Sequence, residues 1–103
     1  MASKTQNLMK RFTGIWKCCD GFSDLAITIK VRAGKFVVSA LDGYDGEEPK
    51  VYDITWSEKR LELGFAIHWS SGRFVVYRFM PSVVKGRLEL TYSYTGQELW
   101  ELA

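Results

Sequence analysis

Residues 61–69 read Leu-Glu-Leu-Gly-Phe-Ala-Ile-His-Trp, nine positions of unbroken alternation. Leu61, Leu63, Phe65, Ile67 and Trp69 fall on one side of an extended chain. Glu62, Gly64, Ala66 and His68 fall on the other, because successive strand side chains point to opposite faces. This is a strand with one face in a core. The flanking sequence repeats the texture at short intervals, so the chain reads as strands folding back on one another.

In chain order, the pattern predicts strands over 13–19, 25–32, 35–41, 51–56, 61–69, 73–80, 87–94 and 98–102. The second places Leu25, Ile27, Ile29 and Val31 inward. The fourth aligns Tyr52, Ile54 and Trp56. The third and sixth are apolar on both faces. The seventh sets Leu88, Leu90, Tyr92 and Tyr94 against Arg87, Glu89, Thr91 and Ser93. Asp20-Gly21, Ala33-Gly34, Ser70-Ser71-Gly72 and Thr95-Gly96 mark turns, and 42–49 is the longest loop. Ahead of the strands, 3–11 predicts a short helix with Ser3 as N-cap, Gln6 as its capping-box partner, and Leu8, Met9 and Phe12 as its apolar side. Connections this short make neighbouring strands antiparallel. The expected architecture is all-β, an antiparallel up-and-down barrel of about eight strands, which closes on itself and leaves no edge.

At 103 residues the chain is expected to be a single domain, 1–103, able to bury a core without metals or disulfides. Its 47% hydrophobic and 15% aromatic content excludes disorder. A net charge of +2 does not argue for nucleic acid or an anionic membrane as partner. Cys18 and Cys19 are adjacent, with no C-x-x-C spacing, which fits a reduced, cytoplasmic protein. The first twelve residues lack the apolar run of a signal peptide, and no apolar run is long enough to span a bilayer.

A short N-terminal helix followed by Gly14-Ile15-Trp16 at the start of a strand meander resembles the lipocalins and the wider calycin group of barrels. The resemblance implies that Trp16 sits at the closed end of a barrel plugged by the N-terminal segment. Glycine lets the backbone approach closely there, and an indole fills the base. The pattern departs from the family in three ways. The last strand, 98–102, carries no Arg or Lys to pack across the Trp, and Arg87 one strand earlier is the nearest substitute. The helix after the barrel is missing, and the chain is short.

No catalytic constellation stands out. His68 is the only histidine and falls on the outer face, with no orienting partner in its neighbourhood. Ser70 and Ser71 stand near it, yet they occupy a turn before Gly72, which accounts for them. The loop from Asp42 to Glu48 is rich in oxygen ligands but lacks EF-hand spacing, so no metal site is expected. The stretch 73–79 interleaves Arg with aromatics, but the helices of an RNA-recognition sheet are absent. Arg78 has two registers. With Phe74 and Val76 inward it lies inside and needs an acidic partner or anionic ligand. With Val75, Tyr77 and Phe79 inward it is exposed, and this register is preferred. It leaves Phe74, Val76 and Met80 outside, and the third strand similarly leaves either Val37 and Leu41, or Phe36 and Val38, outside.

Two functional classes follow. The first is a non-catalytic binding protein without a cofactor, holding an apolar or aromatic ligand in the barrel. Trp16, Tyr52, Trp56, Phe65, Tyr77 and Tyr92 would line it, with Arg78 as a polar handle. The same residues could instead simply fill the barrel. The alternative is a protein-interaction module with a filled barrel, self-associating or binding a partner through an outer apolar face of Val37, Leu41, Phe74, Val76 and Met80. An enzyme on this scaffold lacks a positioned base.

Overall fold

The computed structural model describes residues 4–19, 23–95 and 100–103. The anticipated N-cap at Ser3, the Asp20-Gly21 turn, the turn at Gly96 and the start of the last predicted strand lie outside these residues. The elements in order are α1 (Lys4–Lys10), β1 (Gly14–Lys17), β2 (Leu25–Arg32), β3 (Lys35–Asp42), β4 (Lys50–Ser57), β5 (Glu62–His68), β6 (Phe74–Pro81) and β7 (Leu88–Thr95). They form two antiparallel sheets, β1-β2-β3 and β4-β5-β6-β7.

Each sheet is a meander built from local hairpins. Between β2 and β3 the two-residue turn Ala33-Gly34 has φ of 51° and 75°. Both are positive, the geometry that matches the right-handed twist of the flanking strands. The register then runs without a break from Arg32 opposite Lys35 to Leu25 opposite Asp42. On the other sheet, β5 and β6 pair from His68 opposite Phe74 to Leu63 opposite Phe79.

The inner faces of the two sheets meet in one apolar core. The three-stranded sheet contributes Leu25, Ile27, Ile29, Phe36, Val38 and Ala40. The four-stranded sheet contributes Leu63, Phe65, Ile67, Val75, Tyr77 and Phe79. On β2 and β5 these are the faces that alternation assigned, and on β6 the preferred one; on β3, apolar on both sides, Phe36, Val38 and Ala40 are the residues turned inward, because burial of one face fixes strand register. Helix α1 closes one end. Met9 is buried and Phe12, just past the helix, is completely so, at 0% exposure. The Phe12 ring meets Phe36 and Trp56 edge to face, at centroid separations of 6.0 and 5.3 Å, an arrangement that aromatic quadrupoles favour. Trp16 Nε1–H donates to the Phe12 carbonyl at 2.7 Å, pinning the helix end to β1.

The expected eight-stranded closed barrel is not formed. Among the described residues seven strands lie in two open sheets, with no ladder between β1 and β7 or between β3 and β4, and residues 100–103 carry no strand. The lipocalin-like assignment falls with the barrel. Two features keep the sheet from closing. Strand β1 spans only four residues rather than the seven anticipated, so it offers little edge to a distant strand. Strand β4 is interrupted: Tyr52 pairs with Ala66 and Thr55 with Gly64, so three steps along β4 match two along β5. This is a β-bulge, with Asp53 held at φ 56°. One extra residue reverses the facing of everything beyond it. The expected alignment of Tyr52 with Trp56 is therefore broken. Tyr52 faces out, and Trp56 turns inward beside Phe12 and Phe36.

Candidate functional site

The outer face of the four-stranded sheet carries a depression of about 250 Å³. Its floor is made where side chains are smallest. Gly64 and Ala66, adjacent outward positions on the central strand β5, are both buried, Ala66 to 2% exposure. Neighbouring strands overhang them. Val76 stands opposite Ala66 on β6, and Thr55 stands opposite Gly64 on β4. Glycine is required at position 64 by space: a Cβ there would lie 2.6 Å from Thr55 Oγ1. The bulge in β4 presses Thr55 over the glycine and creates the hollow beside it.

The two ends of the depression differ chemically. At one end Phe74 forms an aromatic wall with Tyr52, at 5.9 Å between centroids, and with His68 at 6.2 Å. At the other end Arg78 approaches Glu62, with Nε 3.9 Å from Oε1, and Asp53 lines the rim. The guanidinium side chain is 60% exposed, so this is a surface ion pair of small energetic weight, and its charges remain available to a partner. No nucleophile and base are brought together at this site.

The residues expected to line a barrel do not surround one cavity. Trp16 is half-buried at the helix end. Trp56 packs in the aromatic cluster, and its indole N–H is buried without an acceptor among the described residues. Phe65 and Tyr77 lie in the core with their rings 5.8 Å apart. Arg78 and Tyr52 point to the outer face, and Tyr92 is largely exposed on the inner side of β7. Residues Val37 and Leu41 are exposed on the outer face of the three-stranded sheet. Phe74, Val76 and Met80 lie on the outer face of the other sheet. The expected single patch through the third and sixth strands is thus divided between two sheets.

The acidic loop has a structural role that pattern alone missed. Asp42 Oδ2 accepts from Trp69 Nε1–H at 3.0 Å, and Asp42 Oδ1 accepts from the Tyr44 amide. Glu47 receives both the amide and the hydroxyl of Ser70, each at 2.7 Å. The guanidinium of Arg73 lies 4.9 Å over the Trp69 ring. The loop after β3 therefore clamps the β5–β6 turn, and Ser70 is spoken for by that clamp. Inside, burial pushes the Tyr77 phenol above its ordinary value of 10.0. Arg73 pulls it down, while Asp42 and Tyr92 add to the rise.

Among the described residues no group of three or more His, Cys, Asp or Glu could hold a metal ion. Cys18 and Cys19 are exposed thiols. Among the same residues no helix is long and apolar enough to cross a membrane. A scan against protein-family models, a search of curated proteins and a search of solved structures each give no match to the chain. The lipocalin resemblance gains no support from any of them.

Proposed function

We infer that the chain is a non-catalytic protein-interaction module that works through the outer face of its four-stranded sheet. The observation that carries this reading is the depression over Gly64 and Ala66, with an aromatic wall at one end and an ion pair at the other. Its volume of about 250 Å³ lies below the ~300–1,000 Å³ of small-molecule sites. It is better matched to one or two side chains of a macromolecular partner than to a free ligand. An apolar side chain of the partner rests on Gly64, Ala66 and Val76, against Phe74. A neighbouring charged group of the partner pairs with Arg78 or Glu62. Met80 and Tyr52, exposed on either side, extend the contact. The exposed thiols of Cys18 and Cys19 fit a cytoplasmic setting.

The test is selection of displayed peptides on the intact chain, followed by mapping of backbone amide shifts in the bound state. The expected result is peptides with an apolar anchor, amide shifts centred on Gly64, Ala66 and Val76, and binding abolished by Val76→Glu. Peptides that bind Val76→Glu as well as wild type, or shifts confined to the three-stranded sheet, would sink this reading.

A further inference from the structure

The described residues near the end of the sequence are unusually uncovered. Val83, Val84, Leu90, Tyr92, Trp100 and Leu102 make up six of the thirteen exposed large apolar side chains among the described residues. Tyr92 is 67% exposed and Leu90 43%, yet both lie on the core side of β7, opposite Tyr77 and Phe79. The three-stranded sheet is too narrow to reach them. The molecule is correspondingly drawn out to 62 × 29 × 23 Å. Its radius of gyration is 15.3 Å, against ~13 Å for a compact chain of this size.

Among the described residues the same strand is also an open edge. Of the four sheet edges, three are blunted as soluble proteins usually blunt them. Strand β1 is four residues long and ends in Lys17. Strand β4 begins at Lys50 and is bulged at Asp53. Strand β3 begins at Lys35, ends at Asp42 and lies alongside β4. Strand β7 has none of these devices. It is eight residues long, pairs with β6 in unbroken register, and carries no Pro or Lys and one charge, Glu89.

We propose that β7 is the interface of a symmetric dimer, in which the β7 strands of two copies of this chain pair antiparallel about a two-fold axis at Thr91. The two four-stranded sheets then become one sheet of eight strands. The strand is self-complementary in this register. Leu90 lies opposite Tyr92 of the partner subunit on the core side, in both directions, and Glu89 faces Ser93 of the partner subunit. No like charges oppose each other, whereas centring the axis on Glu89 would set two carboxylates together. In the turn between β6 and β7, beside this edge, Val83 is fully exposed. Tyr92 alone supplies at least ~150 Å² per chain. The aliphatic side chains and the strand edge bring the total toward the ~800 Å² per partner of a stable interface.

The test is sedimentation equilibrium of the full chain from micromolar to near-millimolar concentration. The expected species is a dimer of twice 11.8 kDa. Tyr92→Lys places a charge at the centre of the contact and weakens the dimer at least tenfold, while Val37→Lys on the exposed outer face of the three-stranded sheet leaves it unchanged. A wild-type chain that stays monomeric throughout, or a dimer that survives Tyr92→Lys, overturns the proposal. Should Tyr92→Lys lose its native circular dichroism, Thr91→Cys in a Cys18→Ser, Cys19→Ser background decides instead. Directly opposed strand residues stand within disulfide reach, so an intermolecular disulfide formed under mild oxidation supports the dimer, and its absence overturns it. Val76→Glu on the outer face leaves the dimer intact, so this proposal and the outer-face binding reading can fail separately.

Discussion

Gly64 offers the sharpest test of how the outer face is built. Glycine in the interior of a strand ordinarily costs ~0.5–1 kcal/mol relative to alanine, because it loses more backbone freedom on folding. Gly64 does not have a positive φ, so backbone strain does not oppose a side chain here. On propensity alone Gly64→Ala should stabilise the protein. Space reverses the sign. The new Cβ would lie 2.6 Å from Thr55 Oγ1, and a β-branched side chain has few alternative rotamers into which to retreat. Overpacking of this kind costs ~1–3 kcal/mol. The net expectation is a loss of about 1–2 kcal/mol, equal to a Tm fall of roughly 5–10 °C in a domain of this size.

Thr55→Ala removes the clashing oxygen. The nearest remaining atoms are then the Tyr77 carbonyl oxygen at 3.7 Å and the position-55 Cβ at 4.0 Å, both ordinary contacts. In that background Gly64→Ala should stabilise by about 0.5 kcal/mol, for a coupling near 2 kcal/mol in the double-mutant cycle. Urea unfolding followed by tryptophan fluorescence measures all four corners. If Gly64→Ala stabilises the wild-type chain, or costs the same with and without Thr55, the claim that the bulge presses Thr55 onto the glycine is wrong.

Other expectations follow from single contacts. Trp16→Phe loses the 2.7 Å bond to the Phe12 carbonyl and should cost about 1–2 kcal/mol. Trp56→Phe removes a buried N–H that has no acceptor among the described residues, so its cost should be the smaller of the two in the same thermal melts. The raised pKa of Tyr77 makes the folded phenol hold its proton where the unfolded one has released it. Its stabilisation is complete below pH 10 and declines as pH rises through the folded pKa. Tyr77→Phe should flatten the alkaline limb of stability against pH, and an unchanged limb would refute the assignment. Glu47→Ala frees both donors of Ser70. It should cost about 1 kcal/mol and raise amide exchange at Ser70 before it affects β5 itself.

Much of this architecture is written in the spacing of apolar residues. The inward faces of β2 and β5 follow directly from period-two alternation, whereas β3 and β6 are apolar on both sides and alternation alone does not choose between their faces. Arg78 takes the exposed register indicated by Val75, Tyr77 and Phe79. Three things were not legible, and each is non-local. The bulge at Asp53 carries no glycine to announce it, and only the partner strand reveals the extra residue. The division into two sheets depends on which strands decline to pair, which side-chain alternation does not encode. The depression inherits both features, since it needs Thr55 displaced over Gly64. The clamp of Asp42 and Glu47 joins residues 27 and 23 positions apart. From sequence they read as solvated charge, because nothing local marks Trp69 and Ser70 as their partners.

The clamp also bears on the order in which the chain folds. Every ladder in both sheets joins strands adjacent in sequence, so each meander can form from short-range contacts at low loop-closure cost. The bonds from Asp42 to Trp69 and from Glu47 to Ser70 tie one meander to the other, and both require the hairpins to be in place. They belong on the native side of the barrier. Asp42→Ala and Trp69→Phe should therefore speed unfolding while leaving the refolding rate nearly unchanged. The acidic loop would then govern how long the folded state lasts rather than how fast it is reached.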